Sequence, residues 1–533
     1  MPETSHPAIS RLQRPLRALV VLVLSASVLW AAIGTIHWPI VGDAPLLHYV
    51  AFLIDHGKAP YRQIIEMDAP GTYALEWTAI HLLGPGPLAW RFADFLLIAA
   101  CWLSMVSITW QEDWLAGFFG GAMFALIHFR DGPTHTGQRD LMMTAMLLLG
   151  CAALFYAFRN KSTKLPTDPG APGPDSRTRV STASPFLLTL FGLFLGMATI
   201  VKPSGLFFAA AFAVLLWTHL HKLAQPKLPA FTAAILGFLI PLAITAAYLQ
   251  HEHALAALFT TMHGLAAYHA SLGRPSMLAP IIGSFPSVLL AVAIPALPVF
   301  FAKKPWQTWQ GQFLLAGVFL GCASYILQGK GFPYHRYPTE AFLLLLIGTL
   351  IFPLLQRTAW VRNFALLTIL GALFLAPVSA SIARHFDWHD QEFNRSLASN
   401  LTALGPNLQN QIQCFDNTAG CINTLYNLQI VQATGYLYDC YAFQSKPSPY
   451  QDRYRQDFLA TVQQAAPRIL VVTDQDCFTM NRSFTRLDRW PQFLTFVAQN
   501  YTLTTQYTPH HTVGWWRHPS PPFSYRIYLR KTK

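Results

Sequence analysis

Charge is what this chain has least of: Asp, Glu, Lys and Arg make up 12% of its 533 residues, against 53% hydrophobic. That balance excludes an ordinary soluble domain and, with repeated apolar runs, makes the chain polytopic. A cleavable leader is not expected either. The first run, Leu16 to Ile36, follows Arg11, Arg14 and Arg17 but lacks the short core and small-residue cleavage site of a signal peptide, so it reads as an anchor with its N-terminus in the cytoplasm. Nucleic acid is excluded as a partner despite a net charge of +12. The basic residues sit in short loops beside apolar runs, where positive charge keeps loops cytoplasmic, and no basic stripe interleaved with aromatics lies outside those runs.

What is present is a series of runs long enough to cross a hydrocarbon core of about 30 Å. They cover 16–36, 88–109, 114–129, 141–158, 185–201, 204–220, 230–249, 281–301, 310–327, 339–355 and 364–382. The expected fold is a polytopic α-helical membrane protein with about eleven transmembrane helices in residues 1–383 and a small α/β domain in 384–533. An odd number of spans puts 159–184, 219–229, 302–309 and 356–363 in the cytoplasm, and each carries Lys or Arg. The loop 111–114 is the exception, with Glu112, Asp113 and no base. The stretch Gly71 to Leu83 reads as a helix lying in the outer interface, within an outer loop over 37–87. Residues 159–184, containing KLPTDPGAPGPDSRTR, have the composition of a disordered cytoplasmic linker.

From Arg384 onward the hydropathy falls. RILVVTD and FSYRIYLR predict strands, and FLATVQQAA predicts a helix. Four of the seven cysteines, Cys414, Cys421, Cys440 and Cys477, fall in this tail, which suits an oxidising, periplasmic compartment. Three connectivities are open, with Cys414 to Cys421 and Cys440 to Cys477 preferred. Zinc is the rival reading, and the spacing lacks a CxxC pair.

The few charges of the apolar region collect in short segments between runs: Asp43, Glu66, Asp68, Arg139, Asp140, Lys202, Lys330 and Arg336 are expected on one side of the membrane. A charge at a helix end facing a watery cleft is tolerable, whereas one at the bilayer centre is costly. The cations lie on the side that the bias of basic residues disfavours, so their retention calls for an anionic partner, and Arg and Lys both bind phosphate oxygens.

At VGDAPLLHYVAFLIDHGKAPYRQIIEMDAPGTYAL the chain resembles the membrane-embedded C superfamily of glycosyltransferases, which includes the protein mannosyltransferases and lipid A aminoarabinose transferases. The matching elements are an acid after the first span (Asp43), a G-x-x-P-Y-R element (Gly57, Pro60, Tyr61, Arg62), Asp68 and Pro70 before the interfacial helix, and Gln138-Arg139-Asp140. Lys202-Pro203 and the late loop GKGFPYHRYP follow in order. The second acidic loop has one acid, Asp140, where some relatives carry a pair. The resemblance implies transfer of a hexosyl or pentosyl group from a polyprenyl-phosphate carrier to a lipid, glycan or protein hydroxyl, at the periplasmic face of a bacterial inner membrane. Nothing resembles the signature by which an oligosaccharyltransferase selects Asn-x-Ser/Thr sequons.

Such a transfer needs a base for the acceptor proton and positive charge for the departing phosphate. Asp43 is the expected base, with Asp140, Glu66 and Asp68 as supporting acids. Arg139, Lys202, Lys330 and Arg336 are the expected phosphate cations. Tyr61, Tyr334, His335, Tyr337, His135 and His263 are expected donors to phosphate or sugar. A divalent cation shared by Asp43 and Asp140 stays open, although two acids alone are a weak metal signal. The rival classes are a lipid or sugar flippase, which predicts charges near span midpoints and matched broken helices, and a non-catalytic scaffold.

Overall fold

The computed structural model of the chain describes residues 7–158, 184–222, 227–274, 276, 278–356, 359–386, 392–478, 481–509 and 523–532. The linker expected over 159–184 lies outside them apart from Ser184. In lipid a backbone must satisfy its hydrogen bonds within the segment, so the apolar runs fold as helices. In order these are α1 (Pro7–Thr35), α2 (Ala44–Asp55), α3 (Pro70–Leu83), α4 (Pro87–Asp131), α5 (Arg139–Ala157), α6 (Pro185–Val201), α7 (Gly205–Lys222) and α8 (Lys227–His251). The short helices α9 (Leu255–Thr261), α10 (Ala267–Ser271) and α11 (Leu278–Gly283) come next. Then follow α12 (Ser287–Lys303), α13 (Trp309–Gln328), α14 (Tyr337–Ile351) and α15 (Ala359–Arg384).

Seven of the described helices are long and apolar enough to cross a membrane. One of them, α4, carries two of the expected runs, joined at Asp113, whose φ of −161° and ψ of 98° are not helical. The acidic exception of the loop pattern is thereby explained: the Asp113 carboxylate accepts from Arg17 Nη1 at 2.8 Å and Nη2 at 2.6 Å. The shorter apolar helices α6 and α12 have 17 residues each and pack into the same bundle. Leu22, Phe186, Ile244, Phe319 and Phe374, from five different helices, each expose more than 60% of their surface, as lipid-facing side chains would.

The connections alternate between the two ends of the bundle. At one end lie the α1–α2 turn, the 56–69 loop, the α4–α5 connection, the α6–α7 turn and the α13–α14 loop. Helix α3, the expected interfacial helix, lies across this end. Its Thr72 hydroxyl donates to Val201 O at 2.9 Å, and Gly71 meets the Ile200 backbone so closely that a Cβ would come within 2.7 Å. This contact brings the 56–69 loop over the end of α6.

The tail is the expected small α/β unit: α16 (Glu392–Ala403), β1 (Ile412–Phe415), α17 (Cys421–Asn427), α18 (Pro449–Ala465), β2 (Ile469–Thr473), α19 (Pro491–Asn500), β3 (Tyr501–Tyr507) and β4 (Tyr525–Arg530). The sheet order is β1-β2-β4-β3, with β1 and β2 parallel and the other pairs antiparallel. Disulfides join Cys414 to Cys421 and Cys440 to Cys477. The boundary expected at 383/384 is not a break in packing, because Tyr49, Leu53 and Tyr61 share a core with Leu397, Ile412 and Leu425. The Ile65 amide donates to Gly435 O at 2.8 Å, and the Tyr49 hydroxyl to Ile430 O at 2.9 Å.

Candidate active site

Asp43 stands at the N-cap of α2, yet its carboxylate makes no capping bond. It turns toward Arg139, whose Nη2 donates to Oδ2 at 3.3 Å, and toward the Tyr334 hydroxyl at 3.4 Å. Arg139, the first residue of α5, also pairs with Asp68. One guanidinium thus ties together the α1–α2 turn, the 56–69 loop and the start of α5, a junction that suits a rigid fork of five donors.

Asp140 follows directly and lies at the first turn of α5. Its side chain is 0% exposed, against 33% for Asp43. Of the four expected acids, only Asp43 therefore offers a solvent-accessible carboxylate, since Glu66 and Asp68 are buried as well. Lys202, at the C-cap of α6, donates to Asp140 Oδ2 at 2.5 Å and to Gln328 Oε1 at 2.8 Å. His335 Nε2 lies 4.0 Å from the same carboxylate oxygen.

Burial governs the electrostatics of the groups around this centre. It lowers the Lys202 ammonium against the opposing pull of Asp140. It holds His335 well below the usual imidazole range, helped by Lys202 and Arg139, and pushes His135 down to about 3. Both imidazoles are therefore neutral at physiological pH. Burial also raises Glu66, opposed by the hydrogen bond from the Tyr73 hydroxyl. Tyr61, at φ +63°, donates to Asp68 O at 2.6 Å and so shapes the loop. Three buried polar atoms of the cluster have no partner among the described residues: Asp140 Oδ1, His335 Nδ1 and Arg139 Nε. Unpartnered buried polar atoms are rare, and three in one cluster suit a polar ligand.

The structure does not bring every expected residue to Asp43. Lys330 Nζ is spent on the carbonyls of His269, at 2.8 Å, and Leu272, and lies 4.4 Å from the Phe478 ring centre. Burial lowers that ammonium to about 8. Arg336 is engaged by Glu340 at 3.2 Å and Asp131 at 3.6 Å, a buried ion cluster that makes it a brace between α4 and α14. The Tyr337 hydroxyl meets His128 Nδ1 at 2.8 Å inside the bundle. His263 is exposed, its Nδ1 against Phe259 O at 3.0 Å. His135 packs its ring 5.6 Å from that of Tyr334 and supports the site from behind.

Three contributors were not legible beforehand. Gln328 closes α13 as one polar residue before a glycine. Tyr73 looks like an ordinary aromatic of an interfacial helix. Tyr438 comes from the distant tail, and its phenol is raised by burial and by the Asp43 carboxylate.

The donor set does not fit a divalent cation. The acids are engaged by protein cations, Asp43 and Asp68 by the shared Arg139 guanidinium and Asp140 by Lys202, and no three His, Cys, Asp or Glu side chains converge among the described residues.

The fold, a multi-span helical bundle with a small α/β tail, is similar to that of solved membrane transferase structures. It matches the apo crystal structure of an oligosaccharyltransferase from Archaeoglobus fulgidus with a TM-score of 0.54 at 12% identity, covering 93% of this chain and 74% of that one. It matches ArnT from Cupriavidus metallidurans bound to undecaprenyl phosphate with a TM-score of 0.54 at 10% identity, covering 96% of this chain and 97% of that one. A third match, with a TM-score of 0.52 at 11% identity, is A. fulgidus AglB in complex with an inhibitory peptide and a dolichol-phosphate, covering 93% and 74%. No protein-family model matches the chain, and no curated protein matches its sequence.

Proposed function

We propose that this chain transfers a sugar from a polyprenyl-phosphate carrier to an acceptor hydroxyl at the extracytoplasmic face of the inner membrane, by direct displacement with Asp43 as general base. The observation that carries the reading is the contrast within one cluster: a single accessible carboxylate, Asp43, beside half-buried Arg139 and Lys202 and fully buried Asp140, with unpartnered polar atoms on Arg139 and Asp140. Undecaprenyl phosphate and dolichol-phosphate in the structures of the same fold support the choice of carrier.

In this mechanism the acceptor oxygen attacks the anomeric carbon while its proton passes to the Asp43 carboxylate. The bond from the anomeric carbon to the phosphate oxygen breaks, and its electron pair leaves with the carrier phosphate. Arg139 and Lys202 stabilise the charge that develops there, and neutral His335 offers a hydrogen bond from the buried side. One displacement inverts the anomeric centre.

The test is transfer of labelled sugar by purified protein, together with affinity for the carrier lipid. Asp43→Asn keeps the shape and removes the base, so turnover should fall about 10²-fold or more with carrier binding nearly intact. Near-wild-type transfer by this variant would remove Asp43 from the mechanism.

A further inference from the structure

Inside the bundle, behind the site, lies a polar cluster that the proposed chemistry leaves unused. Asp94 sits in the second turn of α4, and about 10 Å separates it along the helix axis from the first residue. It is fully buried, and both of its oxygens are committed. Oδ2 takes the Arg91 guanidinium and His128 Nε2, the latter at 3.1 Å. Oδ1 takes the backbone N–H of Gly137 at 2.7 Å. Arg91 donates to the Thr35 hydroxyl of α1 at 2.7 Å, and its guanidinium lies 4.6, 4.4 and 5.1 Å from the ring centres of Trp38, Phe95 and Phe129. His128 reaches Tyr337 of α14. A buried ionic group is costly and is retained where it has a task, and here groups from α1, both halves of α4 and α14 converge on one loop amide.

That amide belongs to the loop that delivers the site. Gly137 has φ +59°, and its Cα lies so near the Trp90 ring that a Cβ would collide with it. Arg139 and Asp140 follow within three residues, at the point where α5 begins. We propose that Asp94 is a positioning residue: its carboxylate, oriented by Arg91 and His128, fixes Gly137 and so aims Arg139 at Asp43 and Asp140 at Lys202. The significance of that aim rests on the function proposed above, whereas the contact itself does not.

Two readouts on the intact protein separate these layers. Hydrogen exchange of the peptide spanning 132–140 needs no substrate. In Asp94→Ala and Asp94→Glu the Gly137 amide should exchange about tenfold faster or more, as expected when a protecting bond is lost. Binding of undecaprenyl phosphate and sugar transfer are then measured per folded molecule. Asp94→Glu keeps Arg91 and His128 paired with a carboxylate while an added methylene displaces its oxygens. It should unfold close to the wild-type temperature, bind carrier more weakly and turn over about tenfold or more slowly, because small misplacements are costly in a preorganised site.

Arg17→Ala, which breaks the pair with Asp113 at the opposite end, supplies the comparison: a weakened bundle with an intact loop should turn over as wild type per folded molecule. Unchanged exchange in Asp94→Glu, or wild-type binding and transfer despite faster exchange, overturns the positioning role. If the wild-type protein transfers no sugar, the functional reading falls, and exchange and carrier binding still decide whether Asp94 holds the cluster.

Discussion

Lys202 and Asp140 face each other at 2.5 Å, with Asp140 shut off from solvent. Such a pair contributes little net stability when whole and costs far more when one partner is removed, because the survivor is a buried charge. Lys202→Met should therefore destabilise the protein by about 3–5 kcal/mol. Asp140→Asn, which keeps the shape, should cost less, and the double variant should recover much of the loss without recovering carrier binding or transfer. Unfolding of the two single variants and the double variant measures the coupling. Strictly additive losses would mean that the two side chains act independently. Asp43 behaves differently because its partner Arg139 also holds Asp68. Its neutralisation leaves one ion pair of that junction standing, so Asp43→Asn should remain folded.

Among the elements, the loops of the tail face the site and the disulfides secure them. Cys440–Cys477 closes a separation of 37 residues and Cys414–Cys421 one of 7. In the chain-entropy account the longer loop contributes about 4 kcal/mol and the shorter about 2.5 kcal/mol. Chemical unfolding should show Cys440→Ser/Cys477→Ser to be the more destabilising pair, and the reverse order would contradict the loop-length argument. The longer bridge also fastens Tyr441 and Phe478, which meet His269 of α10 and Lys330 of the α13–α14 loop. Reduction should therefore loosen that junction as well as the tail. Helix α4 shows a second device at this scale. One extended residue, Asp113, turns the chain back toward the site end and is pinned by Arg17, so the first helix of the bundle anchors the far end of the turn between the two halves of α4.

For the whole molecule, the expectation that follows from charge placement is that the site end faces the periplasm and the 159–184 segment the cytoplasm. Engineered cysteines in the tail should react with an impermeant reagent applied to intact cells, and those within 159–184 should not. The reverse labelling would move Asp43 to the cytoplasmic face and remove the basis for an extracytoplasmic reaction. The tail cannot be treated as a separable appendage, because its core is continuous with α2 and the 56–69 loop. Deleting it would expose Tyr49, Leu53 and Tyr61.

The sequence by itself determined the framework, because lipid imposes a local rule: a run long and apolar enough to cross must satisfy its own backbone, so hydropathy locates the helices without knowledge of their neighbours. The charges between runs were equally legible, and Asp43, Asp68, Arg139, Asp140 and Lys202 fall at one end of the bundle as a consequence of alternating helix direction. The small tail was readable from its alternating strands and its cysteines. Tertiary structure alone decided which charges meet. Lys202 joined Asp140, whereas Arg336, close in sequence to His335, turned to Asp131 and Glu340, because one step along a helical turn swings a side chain by a large angle. Asp94 was hidden for the same reason. An acid two turns into an apolar run carries no local sign of the loop it holds, and the groups gathered around it, His128 and Gly137 directly, Thr35 through Arg91 and Tyr337 through His128, lie 34 to 243 residues away in sequence.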